Sequence, residues 1–170
     1  MKHVILCVET NKKAKTDVVY IDAVIKQLYC IDSEIKLQYE YFSGKGGYKD
    51  TTVIENIEKD INALKERSLS QVVYFIDSDK YDSNPEDQQL NTDIENFCRK
   101  NGYKFVWFCR DIEEVFLHKT VGDSKKKAEV LKFKKGNNLG KATEETLSSR
   151  VMARKKSNML LVLDQVLNRK

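Results

Sequence analysis

Val72-Val73-Tyr74-Phe75-Ile76-Asp77-Ser78-Asp79 is the stretch that decides the fold. Five consecutive β-branched or aromatic residues predict a strand buried on both faces, because a strand with one wet face alternates instead. The run then ends abruptly on two aspartates. His3 to Val8 is a second run of the same kind, and it too ends on an acid, Glu9. Tyr103 to Cys109 is another, followed by Arg110 and Asp111. Ile35 to Phe42 differs. Its Ile35, Leu37, Tyr39 and Tyr41 alternate with other residues, which predicts a strand with one apolar face.

Helical stripes separate these strands. Asp17 to Tyr29 is apolar at positions 18, 19, 21, 24, 25 and 28, and from Thr52 onward Val53, Ile54, Ile57, Ile61 and Leu64 repeat at helical spacing. Asn84 is a natural cap for a third helix, with the single proline, Pro85, at its first position and acids in its first turn. That helix stops near Asn101-Gly102. The order β-α-β-α-β-α-β predicts an α/β architecture: a three-layer, Rossmann-like, four-stranded and mostly parallel sheet flanked by helices, with right-handed crossovers. Beyond Asp111 the pattern turns helical. Asp111–His118 is apolar at Ile112, Val115, Phe116 and Leu117, Gly136-Asn137-Asn138 and Gly140 break the chain, and Met159 to Leu167 predicts a last amphipathic helix. The 170 residues suit one domain. Residues 1–118 read as its α/β core and 119–170 as a basic helical extension packed on the same domain.

Charge divides along the same line. Residues 1–118 carry 16 basic and 21 acidic side chains, net −5, whereas residues 119–170 carry 14 basic and 5 acidic, net +9. Such a split predicts a polyanion-binding end, although a basic segment can also be a solvated face. Hydrophobic residues make up 41% of the chain, enough for one core and too many for intrinsic disorder. No apolar run approaches the ~20 residues of a membrane-spanning helix. The opening apolar stretch halts at Glu9, too soon for a signal peptide, so a cytoplasmic location is expected. The four cysteines, Cys7, Cys30, Cys98 and Cys109, lack C-x-x-C spacing and read as buried reduced thiols. His3 and His118 are the only histidines, so a zinc site is poorly served.

In an open parallel sheet, ligands bind beyond the carboxyl ends of the strands. Glu9 stands there after the first strand, and Asp77 and Asp79 after the third, with Asp82 three residues on. Two residues apart on extended backbone, Asp77 and Asp79 are expected to point the same way. If the first and third strands are close in the sheet, Glu9 faces them. Converging carboxylates repel unless a cation lies between them, and hard oxygen donors select Mg²⁺ or Mn²⁺. Mg²⁺ takes few protein carboxylates and completes its shell with water and phosphate oxygens, which implies a phosphate-containing substrate. A lone D-x-D is also an ordinary loop feature, and Asp82 reads as a turn residue. Ser43-Gly44-Lys45-Gly46-Gly47-Tyr48 lacks P-loop spacing. It reads as a flexible turn or as a phosphate cradle with Lys45 as its cation. Lys125-Lys126-Lys127 and Arg154-Lys155-Lys156 are either solvated faces or grips on a nucleic-acid backbone.

A Glu ending the first strand and a D-x-D ending the third, with β/α alternation between, resembles the Toprim fold of topoisomerases, bacterial primases and OLD-type nucleases. Val4-Ile5-Leu6-Cys7-Val8-Glu9 followed by Lys15-Thr16-Asp17 and Tyr20 is similar to the opening motif of the RloB-like branch, found among prokaryotic phage-defence and restriction-associated genes. Val73-Tyr74-Phe75-Ile76-Asp77-Ser78-Asp79 is similar to its D-x-D strand, and Ile112-Glu113-Glu114-Val115-Phe116-Leu117-His118 loosely to its F-E-x-W helix. Lys156-Ser157-Asn158 and the Leu/Val helix after it are similar to that branch's ending. Two positions depart from the pattern: Thr10 stands where these proteins usually have glycine, and the tryptophan of F-E-x-W is missing.

The resemblance implies Glu9 as metal ligand or general acid/base, Asp77 and Asp79 as ligands to Mg²⁺ or Mn²⁺, and Glu113 as a further ligand. Glu113 and Glu114 equally suit an acidic first turn favoured by the helix dipole. The implied activity is metal-dependent cleavage of phosphodiester bonds in DNA or RNA, in phage defence. Lys45, Lys125, Lys126, Lys127, Arg154, Lys155 and Lys156 would then contact the backbone. A non-catalytic interaction module beside an ATPase partner is the alternative, favoured by Thr10. Phosphotransfer or nucleotidyl transfer on the same acids is a third reading. No membrane partner is expected.

Overall fold

The structure is a computed structural model that describes residues 1–10, 15–136 and 138–170. The apolar runs form the centre of the sheet. β1 (Lys2–Val8), β3 (Ile35–Tyr41), β4 (Leu69–Asp77) and β5 (Lys104–Cys109) are mutually parallel in the order β3-β1-β4-β5. β1 and β4 lie inside the four parallel strands, so these two runs without alternation have parallel neighbours on both sides and helices on both faces. Successive residues of each strand feed opposite cores. Val4, Leu6, Val8, Val73 and Phe75 enter the larger core, while Ile5, Cys7, Val72, Tyr74 and Ile76 enter the smaller.

Helices cover both faces. α1 (Thr16–Leu28) packs on the larger core, and α2 (Thr51–Leu64) and α3 (Pro85–Lys100) on the smaller. α3 begins as its sequence predicts: the Asn84 side chain accepts a hydrogen bond from the Glu86 amide at 2.9 Å, with Pro85 in the first turn. α4 (Ile112–Leu117) follows β5, capped by Asp111, whose Oδ1 accepts from the Glu114 amide at 2.7 Å.

Several expectations need correction. Among the described residues the sheet has five strands, not four: β6 (Lys156–Ser157) adds antiparallel to the outer edge of β5. Residues 119–170 are therefore not purely helical. Besides α5 (Asp123–Gly136), α6 (Glu144–Leu147) and α7 (Met159–Leu163), they hold β6 and β7 (Asn168–Arg169), the latter paired antiparallel with β2 (Tyr29–Cys30). Their Val130, Phe133, Leu147, Met159 and Leu160 complete the larger core, where Tyr20 lies 4.5 Å from Phe133 between ring centroids. The last helix stops at Leu163, short of the expected Leu167, because the chain turns to bring β7 back to β2. Gly136 closes α5 rather than breaking the chain, and Asn137 lies outside the described residues. Gly140 does require glycine: its φ is +63°, and a Cβ there would meet the Phe116 carbonyl oxygen at 2.5 Å. The expected flexible turn after β3 is a 3₁₀ helix, Lys45–Lys49. Cys7, Cys98 and Cys109 are buried free thiols, but Cys30 is exposed because β2 lies in the small outlying sheet.

Among the described residues no helix is long and apolar enough to cross a membrane.

Candidate functional site

β1 and β4 are hydrogen-bonded neighbours, with Val8 paired to Phe75, so Glu9 and Asp77 emerge side by side at the carboxyl end of the sheet. Glu9 Oε2 accepts the Asp77 amide at 3.3 Å. Asp77 Oδ1 accepts the Ile112 amide at 2.9 Å, which ties the end of β4 to the start of α4. Asp79 does not share the side of Asp77 by strand alternation, because β4 ends at Asp77 and Asp79 is left-handed, with φ +51°. Its carboxylate pairs with Lys45 Nζ at 2.9 Å instead. Lys45 is itself buried. The glycine-rich segment thus supplies an internal cation to the acid group rather than an open cradle.

Two further elements bring acids to the same end. Asp17 lies in the first turn of α1, with its Oδ1 accepting from Thr16 Oγ1 at 3.0 Å. Glu113 and Glu114 lie in the first turn of α4, but they do not form the exposed acidic turn that a dipole effect alone predicts, since both are buried. Glu114 is satisfied by Arg154, which reaches its Oε1 through Nη2 at 2.6 Å and Nε at 2.7 Å. Glu113 is not. Lys126 Nζ stands 3.4 Å from Glu113 Oε2, an ion-pair distance without hydrogen-bond alignment. Among the described residues, neither oxygen of Glu113 has a hydrogen-bond donor.

The electrostatics follow from this burial. Burial raises the Glu9 carboxyl to about 7, aided by the Asp79 charge and opposed by Lys45. Burial likewise raises Glu113 to about 7, with Lys126 opposing and Asp17 and Asp111 adding to the rise. Asp77 is pushed well above the ordinary carboxylate range by burial, then by Asp17, Glu9, Glu113 and Asp111. Asp17 is raised, chiefly by burial. Asp77 therefore sits between two acid groups: Glu9 and Asp79 with Lys45, and Asp17, Asp111 and Glu113 with Lys126.

Sequence reasoning identified Glu9, Asp77, Asp79 and Glu113 but gave no separate role to Asp17 or Asp111. The signal for Asp17 was its place in the first turn of the helix after β1, which returns that turn to the carboxyl end of the sheet. The seven basic candidates divide. Lys45, Lys126 and Arg154 are engaged by carboxylates of this chain. Lys125, Lys127 and Lys155 are exposed, and Lys156 is part of β6. Asp82 is more than a turn residue, since Arg110 Nη2 contacts its two oxygens at 3.1 and 2.9 Å. His3 lies at the amino end of β1, away from the acids, where its Nδ1 bonds Ser70 Oγ at 2.9 Å.

The donor chemistry fits a hard divalent cation: desolvated carboxylates share one sheet end, and a buried glutamate has both oxygens unsatisfied. Among the described residues, no three His, Cys, Asp or Glu side chains are drawn together at the spacing that would hold a metal ion. Comparison with known proteins returns no matching family model, no matching curated protein and no matching solved structure.

Proposed function

We propose that this chain is a Toprim-like, RloB-like metal-dependent phosphodiesterase acting on DNA or RNA, in phage defence. The observation that carries the reading is Asp77, a half-buried carboxylate between two acid groups at the carboxyl end of a parallel sheet, beside the orphaned oxygens of buried Glu113. Ion pairs within the protein would satisfy such a group if structure were its only purpose.

Glu9, Asp77 and Asp79 would hold Mg²⁺ or Mn²⁺, with Asp17 and Glu113 completing the donor set around Asp77. The bound ion supplies Lewis-acid stabilisation of a phosphoryl oxygen and lowers the pKa of its water. The chain's own groups do the rest. Glu9 would serve either as a ligand to that ion or, outside its shell, as general acid/base, its carboxyl being raised to about 7 by burial in the metal-free protein. Its Oε2 is held by the Asp77 amide, which leaves Oε1 free to act. Lys45 orients Asp79, and Lys126 balances Glu113. Lys125, Lys127 and Lys155 contact the backbone, which gives little sequence preference.

The test is incubation of plasmid, single-stranded DNA and RNA with Mg²⁺ or Mn²⁺, using wild type, Asp77→Asn and Glu9→Gln. Cleavage by wild type is expected to fall about 10²-fold or more in each variant, the scale of a lost general acid/base. Undiminished cleavage in both folded variants overturns the catalytic assignment. A second reading, a non-catalytic module beside an ATPase, is favoured by one observation: three of the basic side chains are consumed in internal ion pairs. Absence of cleavage together with absence of Mn²⁺ binding selects that module.

A further inference from the structure

β3 is the outermost strand of the main sheet, and among the described residues β1 is its single strand neighbour. The Phe42 amide donates to the Val8 carbonyl at 3.1 Å, so even-numbered residues turn their backbone groups toward β1. Within a strand the N–H and C=O of one residue point to the same side. Leu37, Tyr39 and Tyr41 therefore direct theirs outward, and among the described residues no strand takes them up. Such an edge is a template for another strand unless a proline, a bulge or a short length blunts it. β3 has no proline or bulge and runs seven residues in unbroken register with β1, from Lys2↔Ile35 to Val8↔Tyr41; charges also blunt edges, and those of β3, Lys36 and Glu40, are of opposite sign.

Its sequence is complementary to itself. Run antiparallel with Gln38 opposite Gln38, Ile-Lys-Leu-Gln-Tyr-Glu-Tyr places Lys36 opposite Glu40, Leu37 opposite Tyr39 and Ile35 opposite Tyr41. Opposite charges fall on one face, and aliphatic–aromatic pairs fall on the other, where these four residues already pack on the larger core. A slip of one residue mismatches outward and inward backbone groups. A slip of two sets Lys36 against Phe42 in one direction and Glu34 against Glu40 in the other.

The charges at this edge lack the partner that such pairing supplies. Glu40 lies beside Asp60 of α2, bridged by amides: Gln38 donates to Asp60, and Asn56 Nδ2 donates to Glu40 at 3.4 Å. Burial and then Asp60 raise the Glu40 carboxyl. Among the described residues no lysine or arginine is within ion-pair distance of either acid, and Lys36 makes no ion pair of its own. Lys59 lines the same open cleft, of ≈ 400 Å³, without reaching them.

We propose that β3 pairs antiparallel with β3 of a second copy of this chain, centred on Gln38, so that one sheet runs through both protomers. Lys36 of each protomer meets Glu40 of its partner. The two acid clusters then open at opposite ends of the joint sheet.

A single strand pair is a small interface, so the dimer dissociates on dilution. Sedimentation velocity of the full chain across a dilution series is expected to show this equilibrium. Lys36→Glu should leave monomer, and Lys36→Glu combined with Glu40→Lys should restore the dimer. Wild type that stays monomeric at every concentration overturns the proposal, as does a folded Lys36→Glu that dimerises undiminished. Crosslinking provides a readout that does not depend on charge. In a Cys30→Ser background, Gln38→Cys should form a covalent dimer under mild oxidant and Lys36→Cys should not, because position 36 faces position 40. Equal crosslinking at both positions, or none at 38, also overturns it.

Discussion

Two acid groups meet at Asp77, and each contains a lysine, yet they differ in what water can reach. In one, Asp79 is 47% exposed and its pair with Lys45 Nζ is close, at 2.9 Å. In the other, Glu113 is fully buried and Lys126 stands 3.4 Å away, out of hydrogen-bond alignment. Solvent screens the first carboxylate whether or not its lysine is present, whereas the second depends on the protein alone. Burial, rather than the number of acids, determines how strongly each carboxylate depends on its lysine.

Divalent metal gives the largest expected effect on this comparison. A ligand at ~100 times its Kd stabilises the fold by about 2.7 kcal/mol. Mn²⁺ should therefore raise the Tm of wild type. Asp77→Asn, at the junction of both groups, should lose most of that shift, and Asp79→Asn only part. Thermal melts with and without Mn²⁺ decide it, and equal shifts in wild type and Asp77→Asn would contradict a shared role for Asp77.

Removing each lysine while keeping its stem comes next. Lys126→Met should cost about 1–3 kcal/mol at neutral pH, the scale of losing a charged partner at a buried group. Lys45→Met should cost under about 1 kcal/mol, because water replaces it at Asp79. Urea unfolding of the metal-free proteins measures both. A larger loss for Lys45→Met would reverse the ordering by burial.

The pH dependence has a definite sign. Glu9 and Glu113 rise from 4.5 to about 7 on folding. Between those values the folded protein binds more protons than the unfolded chain, so metal-free stability falls as pH rises from 4.5 to 7. Each group contributes at most about 1.4 kcal/mol per pH unit. Glu113→Gln should flatten that slope, as should saturating Mn²⁺, in melts across this range.

The smallest expected effect lies on the outward face of α5. Charge reversal of Lys125 and Lys127, which are exposed on either side of Lys126, should change stability by no more than about 0.5 kcal/mol. It should nevertheless flatten the dependence of log K on log salt by about 0.9 for each duplex phosphate that is no longer neutralised. Binding titrations at several salt concentrations measure this. If Lys126→Met alone flattens the slope as much, the inward assignment of Lys126 fails.

Legibility in the sequence varied with the range of the interaction. The Asn84-Pro85 helix start depends on groups within a few residues, and it was readable. So were β1 and β4, because burial on both faces leaves an unbroken apolar run. β6, two residues long, has no such pattern. It exists because Lys156 and Ser157 lie along the free edge of β5, with Ser157 Oγ donating to the Trp107 carbonyl at 2.7 Å. The expected orientation of Asp79 failed because strand periodicity was applied past the last strand residue, to a residue in a left-handed turn. Within Lys125-Lys126-Lys127 the sequence could not separate the inward residue from its neighbours. A helix separates adjacent residues around its axis, so Lys126 faces Glu113 while its neighbours face water.

Residue order alone determined the α/β alternation, the acids at the strand ends and the division of charge between the two parts of the chain. Those features follow from local burial patterns and from composition. Tertiary structure decided that β1 and β4 are adjacent, that α1 and α4 turn Asp17 and Glu113 toward Asp77, and that Lys45, Lys126 and Arg154 balance acids inside the molecule. The physical reason is that a carboxylate's need for a partner is set by the water it loses, and that loss depends on which distant segments pack over it.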